Sequence, residues 1–154
     1  MAALTAGAAD TIVHAAIAHG RSLGFMPLTV AVLDAGGHLV AFLREDRSGI
    51  LRPEIAIGKA WGALGLGISS RLIRDRLADR PSFQASLAAA SGGRFVPVPG
   101  GVLVRDADGF AIGAVGVSGD TSDKDEVCAI AGIRAAGLLP DPAEPAEGWE
   151  SSRL

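Results

Sequence analysis

The stretch from Arg94 to Gly137, RFVPVPGGVLVRDADGFAIGAVGVSGDTSDKDEVCAIAGIRAAG, restricts the fold more than any other part of the chain. It reads as a lead-in buckled by Pro97 and Pro99, then two apolar strands joined by a turn at Asp106-Ala107-Asp108-Gly109, then a glycine-rich exit into a helix. The prolines cannot donate to a ladder, so the lead-in is an edge or a loop wall. Thr121 or Ser122 caps the helix, and Asp123, Asp125 and Glu126 occupy its first turn, where the helix dipole favours acids. Glycine used where a sheet hands over to a helix brings backbone close to something, either another part of the protein or a ligand.

The segments before it supply the rest of a compact domain that mixes helices and strands. Thr5 caps a helix running to about Leu23, with Ile12, Val13, Ala16, Ile17, Gly20 and Leu23 on one face and Asp10, His14 and Arg21 opposite. LTVAVLD and HLVAFLRED, joined by Ala-Gly-Gly, form a hairpin. Both of its strands are apolar at nearly every position, which predicts cover on both faces. Pro53 and Glu54 open a helix through IAIGKAWGALGLG, in which Gly58 and Gly62 each cost about 1 kcal/mol relative to alanine. Another backbone lying against that face would compensate. Ser69 or Ser70 caps RLIRDRLADR, an ion-pair-laced helix, and Pro81 starts a further helical piece that ends at Gly92-Gly93.

Composition removes several classes of function. The chain has 154 residues, 49% of them hydrophobic, enough for one domain with a core of its own. No apolar run reaches the roughly 18 residues of a membrane span. A single cysteine rules out an intrachain disulfide or a cysteine-based metal cluster, and Cys128 reads as a small buried thiol. Up to Leu139 acids and bases balance, while PDPAEPAEGWESSRL carries a net charge of −3. Residues 1–139 are therefore read as the domain and residues 140–154 as a mobile acidic tail with Trp149 as its anchor. With no basic stripe and no interleaved aromatics, nucleic acid is not an expected partner, nor is a membrane. MAALTAGAADTIVHAAIAHG has no basic start and no uninterrupted apolar segment, so a cytoplasmic location is expected.

Familiar motifs fail on inspection. Gly113, Gly116 and Gly119 stand three apart between strand and helix, but match neither the Walker nor the dinucleotide spacing, and four nearby acids would repel phosphate. Gly116-Val117-Ser118-Gly119-Asp120 misses the nucleophile elbow because Asp120 stands where the second glycine must be. No calcium loop, paired-histidine helix or haem attachment motif is present.

PLTVAVLDAGGHLVAFLRED, EIAIGKAWGA, PVPGGVLV and GAVGVSGDTSDKDEVCAIAGI, in that order, resemble the GlcG/HbpS family of small bacterial domains, from about Leu4 to Leu139. The family includes haem-binding proteins and the C-terminal domain of PduO-type corrinoid adenosyltransferases. The resemblance implies a single α+β domain: a five-stranded, mostly antiparallel sheet with helices packed on it in a profilin-like three-layer arrangement. It also implies dimer-based homo-oligomers, tetramers or octamers, with a ligand pocket near subunit interfaces. In this sequence that pocket maps to Pro99-Gly100-Gly101 and Ser118-Gly119-Asp120, with Lys59, Asp125 and Glu126 nearby. His14 and His19 match the region where some haem-binding members ligate iron.

Three functions are kept. The first is binding of haem, or less readily a corrinoid, with Lys59, Phe95, Pro99, Gly100, Gly101, Ser118, Gly119 and Asp125 as contacts and His14 or His19 on the metal. The second is an enzyme of isomerase or lyase type acting on a small organic acid, with Arg94 holding a carboxylate and Asp120 or Glu126 moving a proton. The third is a ligand-free assembly module.

Overall fold

The computed structural model describes residues 2–154. Its elements are α1 (Ala6–Ser22), β1 (Thr29–Asp34), β2 (Leu39–Arg44), α2 (Arg52–Leu66), α3 (Ser70–Leu77), α4 (Pro81–Ala90), β3 (Gly101–Arg105), β4 (Ala111–Ser118), α5 (Ser122–Ala135) and β5 (Leu139–Asp141). Helix starts are local chemistry: the Thr5, Ser69 and Thr121 hydroxyls accept from the amides of Ala8, Leu72 and Lys124, while α2 and α4 open with a proline in the first turn and no side-chain cap.

The strands form one antiparallel sheet in the order β2-β1-β4-β3-β5. Strand alternation sorts its side chains into two cores. Val30, Val32, Val102, Val104, Val115 and Val117 face α1 and α5, where they meet Ile12, Ile17, Ile130 and Ile133. Each such side chain contributes about 1.5–3 kcal/mol over an exposed position. Leu33, Leu103 and Ala114 on the other face meet Ala60 and Ala63 of α2. The chain is thus the single α+β domain that its motifs implied, with helices on both faces of a five-stranded sheet.

Glycine sets how closely α2 approaches. Gly116 pairs with Gly101 on one side and Ala31 on the other, a row without bulk beneath the helix. A Cβ on Gly116 would lie 1.8 Å from the Ala56 carbonyl oxygen, and one on Gly101 would lie 2.2 Å from that of Lys59. On the far side of α2, a Cβ on Gly58 would lie 2.4 Å from the Arg94 carbonyl oxygen, and Gly62 rests on the Phe95 ring. The backbone expected against this face is therefore the chain's own lead-in to β3 at Gly58, while at Gly62 a side chain, the Phe95 ring, takes its place.

Two expectations meet a different arrangement. β1 is buried along almost its whole length, but β2 is an edge strand with Leu39 53% and Phe42 40% exposed. The reason is that α2 lies across β4, β1 and β3 and stops short of β2. The boundary drawn after Leu139 falls inside β5, which pairs with β3 and joins Arg105 to Asp141 at 2.8 Å. Beyond it, Trp149 meets Phe25 edge-on at 6.0 Å and the Ser152 and Thr121 hydroxyls share a hydrogen bond of 2.6 Å. Among the described residues, no helix is long and apolar enough to cross a membrane.

Candidate functional site

The loop before β3 and the turn after β4 do face one another, as their glycines suggested. The Val117 amide donates to the Gly100 carbonyl at 3.0 Å, and the Gly101 amide donates to the Ser70 hydroxyl at 2.7 Å. What stands between them is Lys59. Helix α2 drives its ammonium group into the corner, where it donates to the Val117 carbonyl at 2.9 Å and to Asp125 Oδ2 at 3.0 Å. Both side chains are almost wholly buried, at 2% and 1% exposure. Gly100, at φ 120°, has no room for a side chain, since a Cβ there would sit 2.9 Å from Lys59 Nζ. Gly119 is likewise held against the Pro27 carbonyl.

The acids at this corner are fully employed. Asp125 Oδ1 accepts from the Asp120 amide at 2.9 Å. Asp120 accepts from the Met26 amide at 2.8 Å and from the Thr121 amide at 2.7 Å, so it ties the loop between α1 and β1 to the start of α5. The Ser118 hydroxyl accepts from Arg52 at 3.1 Å. Burial pushes the Lys59 amine down and the Asp125 carboxyl up, and their mutual attraction opposes both shifts. Lys59, Gly100, Gly101, Ser118, Gly119, Asp120 and Asp125 are thus brought together, with Pro99 buried beside them, around an internal ion pair.

The other candidate residues lie elsewhere. His14 and His19 are on α1, on the sheet face opposite α2. His14 is exposed and stands 3.2 Å from Asp10, while the His19 carbonyl accepts from Ser22. Glu126 turns away from the Lys59 corner towards Arg71 of α3 at 3.3 Å, and burial raises its carboxyl to about 7. No hydrogen bond or ion pair joins Arg94 to Asp120 or Glu126. Cys128 is buried, which pushes its thiol up. Among the described residues, no group of three histidine, cysteine or acidic side chains could hold a metal ion.

An open cleft does exist, on the outer side of α2. Trp61, Leu66, Leu87, Ala90 and Phe95 line a space of about 190 Å³ over Gly62. Arg94 marks its rim: the guanidinium lies 4.6 Å above the Trp61 ring, its Nε donates to the Ser91 carbonyl at 3.3 Å, and no acid pairs with it among the described residues. Phe95 is the one expected contact residue that lines this cleft. Trp61, Leu66 and Leu87 carried no signal as site residues, although a tryptophan among Gly58, Gly62 and Gly65 marks a place where a large ring stands beside gaps.

Comparison with known proteins agrees with this architecture. A family model described as haem degrading protein HbpS-like matches residues 4–134. An uncharacterized 15.0 kDa protein from the dhaT-dhaS intergenic region of Citrobacter freundii is 30% identical over 129 residues, covering 84% of this chain and 89% of that protein. The crystal structure of HbpS superposes with a TM-score of 0.74 at 30% identity, covering 87% of this chain and 90% of that one. The crystal structure of a PduOC:heme complex superposes with a TM-score of 0.79 at 25% identity, covering 89% and 97% respectively. With the family's pattern spanning residues 4–134 and the same fold in its solved relatives, this chain belongs to the HbpS-like family.

Proposed function

We propose that this protein binds haem or a related planar, carboxylate-bearing tetrapyrrole, with the cleft between α2 and α4 taking one apolar edge of the ring. The observation that carries this reading is the cleft itself: aromatic and aliphatic walls from Trp61, Phe95, Leu66 and Leu87, with the acid-free Arg94 at the rim. Flat apolar walls suit a macrocycle, and a guanidinium suits its carboxylates. Family membership and the haem complex of a structural relative point the same way.

The cleft's 190 Å³ lies below the roughly 300–1,000 Å³ of a typical small-molecule site, so the remainder of the ring needs a second copy of the chain. His14 and His19 of the same copy sit on the opposite helical layer, so a histidine ligand for the iron would come from a neighbour or from exposed His38, on the β1–β2 turn whose Gly37 lies against Trp61. Exposed Leu39 and Phe42 on β2, with Ile50 and Leu51 just before α2, offer apolar surface for such an association. Native mass spectrometry at micromolar concentration is expected to give a multiple of the 15.6 kDa chain mass. A monomer would overturn the shared-site reading.

Titration with hemin is expected to give a saturable Soret shift, weakened at least about tenfold by Trp61→Ala, since a buried aromatic contact contributes over 1 kcal/mol. Hemin dimethyl ester, which lacks free carboxylates, should bind the wild type more weakly than hemin, and Arg94→Ala should remove that preference. His14→Ala and His19→Ala test the iron ligand by the position of the Soret band. An unchanged hemin spectrum at all protein concentrations would sink the proposal.

A further inference from the structure

Glu126 takes no part in the ligand reading, yet its surroundings are unusual. The side chain is fully buried on α5, and neither carboxylate oxygen completes a hydrogen bond. Arg71 Nε stands 3.3 Å from Oε2 outside hydrogen-bond geometry, and Asp123, one turn earlier on α5, leaves its own buried Oδ1 unpaired. With Arg71 as its ion-pair partner but no completed hydrogen bond, the buried carboxylate is disfavoured as an anion, and a proton answers the charge that Arg71 only partly offsets. Arg71 and Arg74 of α3 favour the ionised form, and the Ala146 amide of the C-terminal segment leans towards it without completing a hydrogen bond. Asp123 opposes ionisation, and Lys59 of α2 is already committed to Asp125. Burial outweighs the favourable groups and raises the carboxyl to about 7.

The C-terminal segment is what closes over this group. Past β5 the chain is tied down by Arg71, which donates to the Glu144 carbonyl at 3.1 Å, and by Arg134, which reaches the Ala143 carbonyl and Glu144 Oε1. It then lays Trp149 on Phe25 and Ser152 on Thr121. No residue from 142 to 154 is fully buried, so a few surface contacts hold the segment. It also lies outside the stretch that matches the family, which ends at residue 134.

We propose that Glu126 is a proton-binding site gated by the segment 142–154: the neutral acid lets the segment lie across it, and the ionised acid drives the segment off. The docked form binds the proton more tightly than the released form, in which a solvated glutamate returns to about pKa 4.3. Docking is therefore strongest at acid pH and weakens as pH rises towards 7, by up to roughly tenfold in population per pH unit. A resident cation is disfavoured by the Arg71 guanidinium 3.3 Å from the carboxylate.

The test uses the full chain with Trp61→Phe, which leaves Trp149 as the sole tryptophan. From about pH 5 to about pH 9, acrylamide quenching of Trp149 is expected to rise with a midpoint near neutrality, and Glu126→Gln should keep it shielded throughout. Hydrogen exchange across residues 142–154 should be at least about tenfold faster than in Glu126→Gln at the same alkaline pH. Equal quenching and exchange in the two proteins would overturn the proposal. So would magnesium or calcium that restores shielding in the parent at alkaline pH but has no effect in Glu126→Gln, since a cation would then occupy the site. Should Glu126→Gln fail to fold, a chain ending at Asp141 is compared with the full chain by carboxyl infrared absorption. Loss of the near-neutral titration on truncation supports the gate, and an unchanged titration refutes it.

Discussion

Lys59→Met is expected to destabilise the protein by about 3–5 kcal/mol, because it strands a buried carboxylate without its counter-ion. Methionine fills much of the same space but cannot donate to the Val117 carbonyl or to Asp125, which is only 1% exposed. At roughly 2–4 °C per kcal/mol for a chain of this size, the melting temperature should fall by about 6–20 °C. The loss should also depend on pH. Without Lys59 the Asp125 carboxyl, already pushed up by burial, rises further, so the variant's stability falls as pH climbs through that raised value. Urea unfolding of wild type and variant at mildly acid and mildly alkaline pH measures both effects. Adding Asp125→Asn should recover most of the loss, since the amide oxygen can still accept from the Asp120 amide without a buried charge. A loss under about 1 kcal/mol, equal at both pH values, would mean that the pair is in contact with water.

Gly116→Ala is expected to be nearly as damaging, at about 3 kcal/mol or more, for a steric rather than an electrostatic reason. The new methyl would lie 1.8 Å from the Ala56 carbonyl oxygen and 3.2 Å from the Ala60 Cβ, so α2 itself would have to lift off the sheet. A lifted α2 would also pull Lys59 away from Asp125, and the two variants should therefore be non-additive. Gly65→Ala in the same helix is the control. A Cβ there meets nothing within 4 Å, and the change should stabilise by roughly 0.5–1 kcal/mol through helix propensity alone. Chemical denaturation of both variants separates the two outcomes; equal effects would mean that α2 does not rest on Gly116.

Period and punctuation made most of the fold legible in the sequence. Thr5, Ser69 and Thr121 cap their helices through hydrogen bonds to amides three residues on, so these boundaries are decided within one turn of chain. Alternating Val30, Val32, Val115 and Val117 point one way from the sheet by the geometry of a strand alone. The glycines of α2 announced a close approach, although not which backbone approached. Edge and centre were the parts that could not be read: β1 and β2 are equally apolar, and their difference in burial comes from where α2 happens to lie. β5 was hidden because three residues that start with leucine and continue into proline and aspartate have no strand period to detect.

The site divides along the same line. Glycine where sheet hands over to helix marked the stretch around Gly100, Gly101 and Gly119 as a place of close backbone approach, and the resemblance to the family set Lys59 and Asp125 beside it. Only the tertiary structure decided that a lysine ammonium fills that corner, that Glu126 faces α3 although its neighbour Asp125 faces α2, and that Trp61, Leu87 and Phe95 meet in an open cleft. Capping and alternation are set by atoms a few bonds apart, so they are written locally. Which group neutralises a buried charge, and which face of a helix is left uncovered, depends on segments separated by 66 residues in the case of Lys59 and Asp125, and is settled only when the layers pack.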